Sequence, residues 1–269
     1  MKRYCPFHSA FKIMKHLIKP FEEVGKNTFR MIILFWVVSL FLFWFIGSSG
    51  ERHLFPSPQQ VLTGFVELYN EGLVVHIGSS LWLCFVAILI AVIISLIISY
   101  LSTIPIVNPI ANAVSKLRYL PLTGITFYLA ILISDARTMQ IWVLVTFMST
   151  YLTTSLLSMV SSIRKEEFDH ARSLQCNRWE VLWEVVVKGR IDHVIEVIRQ
   201  NLAIVWMMLV TVESILVAAG GLGFLIKNSD KFMNHGRIIA LQIVILGLGL
   251  SIDFVLNFIR KTFFRYSKL

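Results

Sequence analysis

The sequence predicts an all-α, polytopic membrane protein with six transmembrane helices, and three observations predict it. Apolar residues make up 56% of the 269 positions and charged residues only 15%, against about a quarter charged in soluble domains; mean hydropathy is +0.72. Six apolar runs near membrane-spanning length alternate with polar or Pro-containing segments. The basic residues gather in alternate segments between those runs, the pattern of basic loops kept on one side of a bilayer.

Residues 1–28 form a basic segment in which Phe7, Phe11, Met14, Ile18 and Phe21 recur at helical spacing with Lys12, Lys15 and Lys19 between them. Such a helix can lie among lipid headgroups; a solvated basic tail is the competing reading. The first span covers roughly 29–46. It starts too far from the N-terminus for a cleaved signal peptide, and no A-x-A site follows it. Pro58, with Ser57 as its cap, opens a surface helix over about 58–71. The second span is about 76–101. Pro105 and Pro109 break the chain after it, and a short loop carries Lys116 and Arg118. The third span, about 119–134, has Pro121 in its first turn, and Ser134-Asp135-Ala136-Arg137 turns the chain into the fourth, about 138–161.

The fourth span is rich in hydroxyls. Thr146, Ser149, Thr150, Thr153, Thr154, Ser158 and Ser161 recur every three to four residues and so share one face. Two readings stand: hydroxyls that bond their own helix or a neighbour, or the wall of a polar pathway. A polar segment of nearly forty residues follows, with coupling boundaries 163–196. It interleaves Arg172, Arg178, Lys188 and Arg190 with Leu174, Trp179, Leu182, Trp183 and Val186. A connection this long is usually functional; it reads as short amphipathic helices that dock a soluble partner, or as a loop lying on headgroups. The fifth span is about 197–218, an outer loop covers 219–236, the sixth span is about 237–258, and 261–269 is a basic tail. The domains are thus 1–28, 29–260 and 261–269.

Orientation follows from the Lys and Arg positions. With the N-terminus inside, the inner segments carry nineteen of the twenty-five and the outer segments five, Arg199 lying at the boundary. That bias places both termini and the 163–196 segment in the cytoplasm. The same distribution accounts for the net charge of +9 without nucleic acid. Cys5, Cys84 and Cys176 lie far apart, the seven His are scattered, and no metal or cofactor is expected.

On these residues the chain resembles the permease subunits of bacterial ABC importers, specifically the nitrate/sulfonate/taurine type, which includes importers of thiamine-precursor pyrimidines. That family carries a cytoplasmic motif, roughly EAA-x3-G-x9-I-x-LP. The matching stretch here is Asp169, His170, Ala171, Arg172, Ser173, Leu174 and Gln175, then Arg178 and Trp179. Further on, Arg199, Trp206, Glu213 and the Gly221-Leu222-Gly223 turn match the subfamily's Arg, Trp, Glu and GLG, and Leu54–Leu62 resembles its helix-opening PSP motif. The departures are Asp169 for Glu, His170 for the first Ala, Gln175 for Gly, Val187-Lys188 for Leu-Pro, and Asp192 for a second Pro. Gln175 must either avoid positive φ or accept strain. Without the prolines the second coupling helix runs straight towards the fifth span.

The resemblance implies a type I ABC importer permease of the bacterial inner membrane. It implies a homodimer with the route at the two-fold axis, separate ATPase subunits docked on the coupling residues just named, and an extracytoplasmic substrate-binding protein. On the pathway reading of the hydroxyl face, Ser149, Thr150, Thr153 and Thr154 line the route together with Trp206 and Glu213. No G-x4-GK[ST] loop is present, so this chain is not expected to be the enzyme that hydrolyses ATP. An ionisable residue within a span usually faces a bundle interior or cavity. Glu213 therefore either gates the route or bonds a neighbouring helix, and Asp253 is the second such group. A secondary transporter or channel would need more intramembrane charges or an internal repeat, and a membrane enzyme would need clustered His, Asp or Ser at the membrane edge.

Overall fold

The computed structural model describes residues 25–48 and 56–263. The N-terminal amphipathic segment up to residue 24, the start of the first outer loop at 49–55, and the tail from 264 lie outside the described residues. The chain divides into two compact units, residues 1–58 and 59–269.

The first unit contains α1 (Lys26–Ser48). Its 23 residues rise ~34 Å, enough for the ~30 Å hydrocarbon core. It is apolar on every face, as a lipid-crossing helix is. Trp44 Nε1 donates to the Pro56 carbonyl at 3.1 Å, giving the indole N–H a partner at the helix end.

The second unit is built around α3 (Leu73–Leu101) and α6 (Ala136–Ser161). Short helices α2 (Pro58–Asn70), α4 (Asn108–Lys116), α5 (Leu122–Leu132) and α7 (Lys165–Ser173) surround or extend them. A continuous helical stretch then runs from Arg178 to Ile215, followed by α10 (Leu222–Lys231) and α11 (His235–Phe263). α6 packs on α3, α4, α5 and the stretch ending at Ile215. Of its most apolar window 61% is buried, against 28% in α3 and 11% in α11. Most of its hydroxyls turn back on the helix: those of Thr146, Ser149, Thr150, Thr154 and Ser161 each donate to a carbonyl three or four residues back, while the buried Thr153 Oγ1 has no partner. α3 meets α6 with small side chains, Ser80, Cys84, Ala87, Ala91, Ser95 and Ser99, all buried. These let the backbones approach, and Ser95 Oγ donates to the Ser149 carbonyl at 3.1 Å.

Among the described residues, five helices are long and apolar enough to cross a membrane. The third anticipated span is the shorter α5, whose 11 residues rise only ~16 Å. Leu120 and Pro121 before it and Ile133 after it are extended, so the chain gains more length per residue there. Asp135 caps α6 by accepting from the Thr138 amide at 2.7 Å, and that bond holds its carboxyl below the usual range.

The stretch from Arg178 to Ile215 begins as α8 (Arg178–Val181), widens to a π turn over Leu182–Val187, tightens to a 3₁₀ turn over Lys188–Arg190, and continues as α9 (Ile191–Ile215). Its 38 residues would reach ~57 Å at α-helical rise, nearly twice the hydrocarbon thickness. The absent prolines at 188 and 192 are consistent with this continuity.

Candidate functional site

Three sets of residues gather chemistry: the α7–α8 turn at one end of the second unit, the hydroxyl face of α6, and a carboxylate clamp at the opposite end.

At the α7 end, Asp169, His170, Ala171, Arg172 and Ser173 lie on α7, with Ala171 buried and the other four exposed or half-exposed. Arg172 pairs with Asp169 at 3.3 Å on the surface. Leu174 ends the helix, and Gln175 turns the chain with φ +59°. Of the two options its sequence leaves, Gln175 takes the left-handed one. Asn177 then starts α8 with a reciprocal capping box: its side chain accepts from the Arg178 amide, and Glu180 accepts from the Asn177 amide, both at 2.7 Å. Arg190 clasps Glu167 at 2.6 Å, tying the 3₁₀ turn back to α7. The result is a braced knob that leaves Leu174, Trp179 and Trp183 exposed at 66%, 63% and 54%. A cleft of about 870 Å³ opens beside it, lined by Pro105, Phe168, Arg172, Arg178, Trp179 and Leu182.

The α6 hydroxyls divide along the helix. Ser149, Thr150 and Thr153 are buried. Ser149 and Thr150 donate to the carbonyls of Thr146 and Phe147, three residues back. Thr154, Ser158 and Ser161, nearer the α7 end, line a polar pocket of about 550 Å³.

At the opposite end, Glu213 on α9 is wholly buried. Ser80 Oγ donates to one carboxylate oxygen at 2.6 Å and the Gly223 amide to the other at 3.0 Å. The Leu222 amide donates to Ser80 Oγ at 2.9 Å, and the Gly221 amide to His76 Nδ1 at 3.2 Å. Glu213 thus sits at the N-terminus of α10, where amides point outward and the helix dipole favours negative charge. Gly221 has φ +110°, and a Cβ there would lie 2.2 Å from the Glu213 carboxyl carbon. A Cβ at Gly223 would lie 2.2 Å from the Val210 carbonyl. The Gly-Leu-Gly turn and the glutamate, separate in sequence, form one clamp. Arg137 and Gln140 extend it: Arg137 donates to Ser79 and Gln140, and Gln140 Nε2 to the Leu216 carbonyl at 2.9 Å.

Trp206 is buried, its indole donating to the Ile245 carbonyl at 3.0 Å with its ring against Gly249. Towards the α7 end of the same helix pair, Arg199 bonds Glu196 with two nitrogens, at 2.9 and 3.1 Å, and Asp253 at 3.0 Å, while Arg260 reaches Glu196 at 2.6 Å. Asp192, the other acid near Arg199 in sequence, pairs with His193.

Ser80, His76 and Gln140 escape sequence reasoning because each is one polar residue in an apolar run. The small-residue spacing from Ser80 to Ser99 signals Ser80 alone; His76 and Gln140 carry no such pattern. Among the described residues no group of His, Cys, Asp and Glu is placed to hold a metal.

No family model matches the chain. It is similar to the taurine transport system permease protein TauC of Escherichia coli (strain K12), 28% identical over 127 residues. That match spans 47% of this chain and 44% of the relative's length. Its fold is similar to the crystal structure of an amino acid ABC transporter with histidines, with a TM-score of 0.55, 16% identity, and coverage of 74% of this chain and 96% of that one. The first likeness spans less than half of either chain, and the second, at 16% identity, is one of fold.

Proposed function

We propose that this chain is the permease subunit of an ATP-driven importer, working as a homodimer and coupled to separate ATPase subunits through α7, Gln175 and α8. The observation that carries this is the braced knob: three large apolar side chains stand in water on a segment whose backbone is fixed by a capping box and an ion pair. An exposed apolar cluster rimmed by charge marks an interaction surface. The rigid link through the long helix ending at Ile215 would carry motion from the knob to Glu213 and α10. The opposite end would receive solute from an extracytoplasmic binding protein. The solute is a small polar one: a nitrate-, sulfonate- or taurine-like anion, or a pyrimidine vitamin precursor.

Within this reading Ser149, Thr150, Thr153 and Trp206 hold the helices together, and Glu213 acts as the clamp on α10. Thr154 is the pathway residue that opens on a cavity. The route therefore needs a second copy to close it, since the hydroxyls at the centre of one chain are already packed inside.

The experiment is to change Trp179→Ala or reverse Arg178→Glu and follow insertion, ATPase co-purification and uptake. Both variants should insert normally while losing most ATP-dependent uptake. Disabling the nucleotide site of the co-purified ATPase should stop transport altogether. Normal uptake by both variants sinks the docking assignment, and uptake driven by an ion gradient alone, with no ATPase bound, sinks the importer reading.

A further inference from the structure

The polar pocket at the α7 end is built almost entirely of neutral hydroxyl and amide side chains, and their hydrogens are nearly all committed. It lies between the end of α3, α4 and the last two turns of α6, with a volume of about 550 Å³. Among its described lining residues there is no Asp, Glu, Lys, Arg or His. Ser102, Ser115, Thr154 and Ser161 each donate to a carbonyl three or four residues back on their own chain, at 2.6 to 2.9 Å. Thr103 does the same at 2.8 Å. Asn112 gives its amide hydrogens to the Asn108 carbonyl and Oδ1, at 3.0 and 2.7 Å, and Asn108 donates to the Ser102 carbonyl at 3.1 Å.

A hydroxyl that has donated its single hydrogen keeps its oxygen lone pairs, and an amide that has donated keeps its carbonyl oxygen. The pocket therefore presents acceptors. Ser158, exposed at the rim, is the one lining hydroxyl whose hydrogen is uncommitted. Beside the apolar surface that Leu157 and Val160 contribute, the polar part of the lining offers mainly oxygen acceptors, which complement a ligand that donates and have little to offer an oxyanion that only accepts.

We infer that this pocket is a solute-contacting vestibule selective for an ammonium or other N–H-bearing head. Of the solute classes considered above, an amino-bearing sulfonate or pyrimidine fits, entering amine-first. Nitrate, with nothing to donate, does not. This rests on the permease reading and deepens it.

The test uses the full chain in membrane vesicles, with Cys5, Cys84 and Cys176 replaced by Ser. Ser158→Cys and Ser161→Cys report from the pocket, and Ser173→Cys on α7 is the control outside it. Each is modified with the neutral reagent N-ethylmaleimide in the presence of methylammonium chloride, sodium methanesulfonate, or potassium chloride at equal ionic strength. Methylammonium should slow modification of both pocket cysteines several-fold and leave the control unchanged; the other two salts should do nothing. Protection by methanesulfonate, by potassium as strongly as by methylammonium, or by none of the three overturns the inference. ATPase co-purification with the same vesicles is scored in parallel. If co-purification persists while protection fails, only this inference falls; if it fails too, the permease reading falls with it.

Discussion

Single residues show where this chain departs from the pattern it resembles. Gln175 holds φ +59° at a turn where the family carries Gly. A side chain in the left-handed region costs about 1 kcal/mol relative to glycine. Gln175→Gly should therefore steady the α7–α8 turn by about that amount, less whatever glycine adds to unfolded-chain freedom. Hydrogen exchange of the Cys176 and Asn177 amides would read it, with slower exchange expected in the glycine variant. At the other end the constraint is steric. Gly221→Ala would place a methyl 2.2 Å from the Glu213 carboxyl, in a backbone conformation alanine avoids. It should cost more than about 3 kcal/mol, measured as detergent-solubilised thermal stability. Much of the clash should vanish in a Glu213→Ala background, so the double-mutant cycle should be strongly non-additive. An additive result would mean that Glu213 does not touch the turn. Glu213 and Gly221 were each visible in the sequence, but their contact was not. It depends on the Leu216–Gly220 turn folding α10 back onto α9, which no local spacing encodes.

Elements were legible in proportion to how fully lipid determines them. The helices Lys26–Ser48, Leu73–Leu101 and His235–Phe263 lie within a few residues of the expected spans at most of their ends, because a continuous apolar run has few other destinies. The hydroxyl periodicity of α6 was also legible, yet its meaning split. Ser149, Thr150 and Thr153 are packed, while Thr154, Ser158 and Ser161 open on a pocket, and only the position of α4 decides which. The ion cluster between α9 and α11 was half legible, since Glu196 is one turn from Arg199 but Asp253 is fifty-four residues away. Its wiring predicts unequal mutants. Asp253→Asn leaves Arg199 held by both oxygens of Glu196 and should cost less than about 1 kcal/mol. Glu196→Gln removes the carboxylate shared by Arg199 and Arg260, and should cost at least about 1.5–3 kcal/mol. Thermal unfolding of the two variants in the same detergent would show the ranking, and equal shifts would refute the shared-carboxylate arrangement.

For the whole molecule the open quantity is whether α5 crosses the membrane, and charge decides between the alternatives. If α5 crosses, nineteen Lys and Arg lie on the side of the N-terminus and five on the other. If it does not, every segment after it changes side. The N-terminal seven would then share a side with Lys116, Arg118, Arg137, Lys227, Lys231 and Arg237. Opposite them would stand Arg52, the six from Arg164 to Arg190, and the four from Arg260 to Lys268. That is thirteen against eleven, no bias at all, whereas basic residues in short loops are expected to favour the cytoplasm. With α5 crossing, its extended flanks and local thinning of the bilayer around it would complete the span. Tyr119→Cys and Ser134→Cys, at its two ends, should label from opposite sides of oriented vesicles. Residues 163–196 should label from the side of Tyr119. If both cysteines label from one side, α5 does not cross, residues 163–196 come to lie opposite Tyr119, and the six-span arrangement falls.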